Sequence, residues 1–142
     1  MTFYDRLTKM YLDAPIQNLY PGIDMTVSHH KAVITLPAGK RFHHAGKSIH
    51  GSVYFRLLDD ACYFASMSIV KDYFLLTKNF NIDFLKPHSE GLITAKGWLT
   101  KEENGLFYCE GELVNDSGKQ IAKGKGVFAK SRLPLEKMID KS

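Results

Sequence analysis

Residues 52 to 70, SVYFRLLDDACYFASMSIV, contain neither Gly nor Pro. An unbroken run of that length predicts a helix, and Ser52 has the side chain of an N-cap. The run is apolar nearly all round, so the helix belongs inside the protein and not on its surface. Its only charges, Arg56, Asp59 and Asp60, fall within about a turn and a half. A buried helix needs a wall around it, and the chain supplies one directly afterwards. From Phe74 the pattern changes to period two: Phe74, Leu76, Phe80, Ile82 and Phe84 alternate with Thr77, Asn79, Asn81 and Asp83, until Pro87 stops the strand.

Three further strands are expected, over about 91–101, 105–115 and 119–131. They are punctuated by the hairpin signals Glu103-Asn104-Gly105 and Asn115-Asp116-Ser117-Gly118. Ahead of the long helix, residues 2–13 read as a short amphipathic helix, with Phe3, Leu7, Met10 and Tyr11 on one stripe and Pro15 ending it. Residues 22–37 read as two strands turning at His29-His30, and Ala38 to Ile49 as a loop; the tail, 134–141, reads as a short helix. The order is helix, two strands, long helix, four strands. An antiparallel sheet with one face to cover, and one long apolar helix to cover it, predicts an α+β architecture in which the sheet wraps around a central helix. The length of 142 residues suits one domain spanning 1–142.

Composition narrows the function classes. Hydrophobic residues make up 44% of the chain, which is globular and not disordered. The balance of 19 basic against 15 acidic residues gives +4, mildly favourable to an anionic partner but spread too thinly to argue for nucleic acid. No apolar run approaches the length of a membrane span, and Met1-Thr2-Phe3-Tyr4-Asp5-Arg6 lacks a secretory pattern, so a cytoplasmic location is expected. Cys62 and Cys109, far apart and in apolar stretches, read as buried free thiols.

Three ordered segments carry a family likeness. His50-Gly51-Ser52, followed by Leu57-Leu58-Asp59, resembles the His-Gly-Gly…Leu-x-Asp signature of hotdog-fold thioesterases of the phenylacetate-pathway type. Thr77 to Pro87, TKNFNIDFLKP, is similar to that family's long third strand ending in Pro, and Asp116 to Gly124, DSGKQIAKG, to its final turn and strand. The resemblance spans about residues 40–130 and implies the hotdog fold, hydrolysis of an acyl thioester such as an acyl-coenzyme A, and a dimer. Two positions depart from the pattern. Ser52 stands in place of the second Gly, and His44 in place of an Asn that many relatives carry six residues before the motif histidine, which exchanges an amide for a titratable ring.

Thioester hydrolysis needs an activated water or a nucleophile, a stabilised oxyanion and a grip on the acyl carrier. Asp59 is the candidate base or nucleophile, because an ionisable group on an apolar helix needs a reason to be there. Arg56 supplies a structural reason for one of the two acids; Asp60, four residues on, is its better helical partner, which leaves Asp59 free about 100° away. The Gly51 backbone N–H, at the positive end of the helix, is the candidate oxyanion donor. Eight residues of helix separate Gly51 from Asp59 by roughly 12 Å, too far for both to address one carbonyl carbon. The site is therefore expected to be completed across a two-fold homodimer, alone or within a homotetramer.

His50 and His44 are candidates for a direct role beside Gly51. Thr77 matches a Ser/Thr position near the attacking water. Strict alternation, however, puts it on the polar strand face opposite Phe80 and Ile82, turned away from the helix unless a bulge intervenes. Lys123 and Lys125, read as sharing a strand face with Lys119 and followed by Lys130 and Arg132, are candidate contacts for coenzyme A phosphates. No cofactor is expected. His43, His44, His50 and Asp59 lack metal-ligand spacing, Gly124-Lys125-Gly126 lacks the rest of a phosphate loop, and no Gly-x-Ser-x-Gly elbow occurs. The His-and-acid motifs of hotdog dehydratases are missing. The competing expectation is a non-catalytic acyl-CoA-binding module on the same fold.

Overall fold

The computed structural model describes residues 1–135. Helix α1 (Phe3–Leu12) begins at a reciprocal cap in which Thr2 and Asp5 bond each other's backbone N–H, and it buries Leu7 and Tyr11. A 3-10 turn, Pro15–Leu19, follows. Strands β1 (Asp24–Ser28) and β2 (Lys31–Ala38) form a hairpin through His29-His30, with His30 in the left-handed region at φ 63°. After a second 3-10 turn, Lys40–Phe42, comes helix α2 (Gly51–Met67). Strands β3 (Tyr73–Phe84), β4 (Gly91–Glu103), β5 (Leu106–Val114) and β6 (Gln120–Pro134) complete the chain.

The long helix starts one residue earlier and ends three earlier than the sequence pattern predicts, and its N-cap is His50, not Ser52. The His50 ring nitrogen Nδ1 accepts the Ser52 N–H at 3.0 Å, so Ser52 is already inside the first turn. Of the short helix expected over 134–141, Pro134 belongs to β6 and 136–142 lie outside the described residues.

All six strands are antiparallel, in the order β1-β2-β4-β5-β6-β3. The β4–β5 turn sits at Asn104 (φ 53°) and Gly105 (φ 78°), two successive positive values that suit a tight hairpin. Helix α2 packs on one face of this sheet and buries Val53, Leu57, Leu58, Ala61, Cys62 and Phe64 against it. The approach is close. A Cβ built on Gly97 of β4 would fall 2.5 Å from the Ala61 carbonyl carbon, and one on Gly111 of β5 would fall 3.0 Å from Cys62 Sγ. This is the helix-covered, wrapped sheet that the α+β pattern predicts. The sheet has two edges, β1 and β3, and β3 runs alongside the helix that carries the candidate site. No helix among the described residues is long and apolar enough to cross a membrane.

Candidate active site

The site is built on α2 and on the edge strand β3. At the start of α2, two of the first N–H groups are taken: Ser52 by the His50 ring, and Val53 by the His50 carbonyl at 3.0 Å. No acceptor among the described residues takes the Gly51 N–H. Phe84, at the end of β3, packs over Gly51, with its Cε1 3.0 Å from where a Cβ would be. A side chain at this position would press on the Phe84 ring beside the open amide. His44 lies in a tight turn, its Nδ1 accepting the Gly46 N–H at 2.9 Å, and its ring meets that of His50 edge to face at 6.4 Å. His44, Gly51, Tyr54, Phe84 and Lys86 line one groove of about 330 Å³. Sequence reasoning overlooked Phe84 here; the signal was the apolar alternation that ends at Phe84.

Asp59 lies two turns further along. Its Oδ1 accepts the Thr77 hydroxyl at 3.0 Å. Burial pushes its carboxyl above the usual range, and the Thr77 bond opposes that shift. The sequence alternation alone would turn Thr77 away from the helix. The structure places it toward α2 because the β3–β6 register slips between Thr77 and Asn79, skipping Lys78. The extra residue reverses the alternation, so Leu75 and Thr77 face α2 before the slip and Phe80 after it, where the Phe80 ring meets Phe55 at 5.4 Å.

The neighbouring acid is engaged elsewhere, as the helical spacing predicts. Arg56 Nε lies 3.3 Å from Asp60 Oδ2, and the Tyr11 hydroxyl donates to the same oxygen at 2.8 Å. Burial pushes Asp60 up to about 6 despite both partners. Arg56 also donates to Gln17 through Nη2 and lies 4.0 Å above the Tyr20 ring, while Nη1 is sealed from solvent without a partner among the described residues. Tyr11, Gln17 and Tyr20 were not legible as partners, because they lie about 40 residues away in sequence. Asp59, held by Thr77 and paired to no cation among the described residues, is the free carboxylate of the pair. With Tyr11, Ile16, Tyr63, Phe64 and Leu75 it lines a second groove of about 420 Å³. The two grooves share no lining residue.

Lys123 and Lys125 stand on the opposite face of the sheet. They lie cross-strand from Asp83 and Asn81 on β3 and from Glu112 and Glu110 on β5, around a hollow of about 450 Å³. Their neighbours Gly124 and Gly126 turn toward Phe80 on the helix side. Lys119 precedes β6 and so is not on that strand's face, and Lys130 is paired to Asp72 at 2.9 Å.

A six-stranded antiparallel sheet packed on one long helix is the hotdog architecture, and here it presents a partly buried carboxylate and an open helix-start amide. A family model described as Thioesterase superfamily matches residues 46–122, over half of the chain, and the chain belongs to that superfamily. Among solved structures, the PaaI protein of the Escherichia coli phenylacetic acid degradation operon is 23% identical, with a TM-score of 0.82 over 92% of this chain and 94% of that one. Zebrafish thioesterase superfamily member 2 is 17% identical, with a TM-score of 0.80 over 92% and 100%. A Haemophilus influenzae thioesterase is 15% identical, with a TM-score of 0.78 over 91% and 90%. At these identities the likeness establishes the fold. A comparison with curated proteins finds no match.

Proposed function

We propose that this chain hydrolyses an acyl thioester carried by coenzyme A, releasing the free acid and the thiol. The observation that carries this reading is Asp59: a partly buried carboxylate on a largely apolar helix, oriented by Thr77 and paired to no cation among the described residues. A carboxylate raised by burial is a better base at neutral pH than an exposed one. As general base, Asp59 takes a proton from water while the water oxygen attacks the thioester carbon. As nucleophile, it attacks the carbon itself and water resolves the anhydride. Either way the C–S bond breaks, the sulfur leaves as the thiol after protonation, and the carbonyl oxygen passes through an oxyanion. The open Gly51 N–H is the donor for that oxyanion. His50 supports it by taking the Ser52 N–H, which fixes the first turn, and His44 stands on the rim of the same groove.

The site is shared between two subunits. Thr77 marks the Asp59 end of β3 and Phe84 marks the Gly51 end, and β3 is a sheet edge open to pairing. Antiparallel pairing of two β3 strands about an axis between Phe80 and Asn81 sets Thr77 opposite the partner's Phe84. That brings Asp59 of each subunit toward the partner's Gly51, within one homodimer or a homotetramer built from it. Residues 1–142 act as one unit, in the cytoplasm, and Lys123 and Lys125 are the proposed phosphate contacts. From their face, a carrier bound at the helix-side grooves reaches them only around the β3 edge or from another subunit.

The second reading, a module that binds acyl-CoA without turnover, is favoured by one observation: His44, which replaces an amide of the family pattern, has Nδ1 committed to Gly46. One experiment separates the two. The full chain and Asp59→Asn are assayed for thiol release against acyl-CoAs of graded length. Turnover in the native chain, reduced about 100- to 10,000-fold by Asp59→Asn with the fold intact, supports hydrolysis. Native-like turnover in Asp59→Asn refutes the assignment of Asp59, and saturable binding without thiol release identifies the module.

A further inference from the structure

The Asp59 groove has one wall that belongs neither to α2 nor to the sheet. It is the segment from Tyr11 to Tyr20, which runs from the end of α1 through the 3-10 turn and contributes Tyr11, Ala14 and Ile16 to the lining. Ile16 is 51% exposed and, as part of the groove lining, presents its side chain to the opening. The segment is tied down from both sides. The Tyr11 hydroxyl holds Asp60 at 2.8 Å, Arg56 reaches Gln17 Oε1 and covers the Tyr20 ring, and Gln17 Nε2 returns to the Tyr11 carbonyl at 2.8 Å. Fixing a surface segment with a guanidinium and a carboxylate that are both largely withdrawn from water, and with a tyrosine hydroxyl, is a costly way to join a short helix to a core. It makes sense where the position of the wall matters.

We infer that this tethered segment is the acyl-length stop of the enzyme, with Ile16 the specificity-determining residue and a neutral, apolar acyl group as its ligand. The inference rests on the thioester-hydrolysis reading of Asp59. The side-chain polar groups of Tyr11 and Gln17 are already taken by Asp60, by Arg56 and by the Tyr11 carbonyl, and the Tyr63 hydroxyl across the groove is spent on the Leu75 carbonyl. Aromatic and aliphatic surface is what remains for a ligand. A second carboxylate on the acyl group would meet Asp59 and Asp60, with the Arg56 charge already paired and its Nη1 sealed from the groove. An acyl chain lying past Asp59 runs into Ile16, and its reach is set by that side chain.

The test is the chain-length profile of kcat/KM on straight-chain acyl-CoAs, with succinyl-CoA as the charged member. Ile16→Ala, which opens the wall, should raise the ratio of longer to shorter substrates about tenfold, and Ile16→Trp should lower it by a similar factor. Tyr11→Phe, which cuts the tie to Asp60, should raise KM on the best substrate and flatten the profile with kcat nearly kept. Succinyl-CoA should be the poorest substrate of its length. Circular dichroism and Tm establish that the variants are folded, and Ile16, at the surface, tolerates both changes. A profile unmoved in both Ile16 variants at native rates overturns the inference, as does a preference for succinyl-CoA. If the native chain releases no thiol from any substrate, the hydrolysis reading has failed. The wall is then read by calorimetry with non-hydrolysable acyl-CoA thioethers: the same tenfold shifts in Kd uphold it and their absence overturns it.

Discussion

Gly97→Ala is the sharpest test of how closely α2 must lie on the sheet. The new methyl would sit 2.5 Å from the Ala61 carbonyl carbon and 2.6 Å from both the Ala61 oxygen and the Cys62 nitrogen. Ordinary contact begins near 3.4 Å, so the helix must retreat by about 0.9 Å at that point. All three obstructing atoms are backbone, and no side-chain rotation can relieve them. Overpacking of a core costs about 1–3 kcal/mol, and with no soft neighbour the upper end applies, about 3 kcal/mol. For a chain of this size that lowers Tm by roughly 10 °C. Asp59 lies two residues before Ala61, so the same displacement pulls its carboxylate off Thr77, and misplacement by about 1 Å costs on the order of 100-fold in rate. Urea unfolding followed by circular dichroism, together with thiol-release kinetics, measures both. Gly39→Ala is the control: nothing lies within 4 Å of its Cβ position, and its backbone is extended at φ −173°, so stability should stay within about 0.5 kcal/mol. A Gly97→Ala protein as stable as the native chain would refute the close-approach argument.

Asp60 makes stability depend on pH. Burial raises its carboxyl from 3.8 in the unfolded chain to about 6, so its stabilising contribution is fully present below pH 4 and is lost as pH rises through 6, at most about 3 kcal/mol. Urea unfolding between pH 4 and 7 should show that fall, and Asp60→Asn should reduce it to the part due to Asp59; an unchanged slope in the variant would count against a buried Asp60. For the shared site, mixing Gly51→Val with Asp59→Asn subunits should restore about a quarter of native activity, since half of randomly exchanged dimers are mixed and one of their two sites is intact. No recovery, with exchange verified by mass spectrometry, sinks the two-subunit model. If Lys123 and Lys125 bind phosphates, the double change to Ala raises KM for acyl-CoA more than for acyl-pantetheine, and equal effects would leave them as a solvated outer face.

The helix α2 and the candidate acid on it were legible from residues 52–70 because helix formation and burial there are local matters: no breaker, apolar nearly all round, and three charges that had to be accounted for. The Arg56–Asp60 pair followed from four-residue spacing, and the Asn104-Gly105 hairpin from the two residues that tolerate positive φ. Thr77 shows where such reasoning stops. Period two carries a side chain to a face only while the ladder is unbroken, and the skip at Lys78 depends on how β3 lies against β6, a strand more than 40 residues later in the chain. The same long-range pairing inserts β6 between β5 and β3, leaves β3 as the open edge, and decides that Lys123 and Lys125 look away from the helix while Gly124 and Gly126 look toward it. Alternation alone says that two lysines share a face; it cannot say which face the helix will cover. The choice of His50 over Ser52 as cap, and the ties from Arg56 and Asp60 to Tyr11, Gln17 and Tyr20, likewise belong to the folded chain. Sequence alone determined the elements and the acid on the helix, because those depend on neighbours within a few residues. Tertiary structure decided what that acid touches, because burial and strand register are settled only when distant segments pack together.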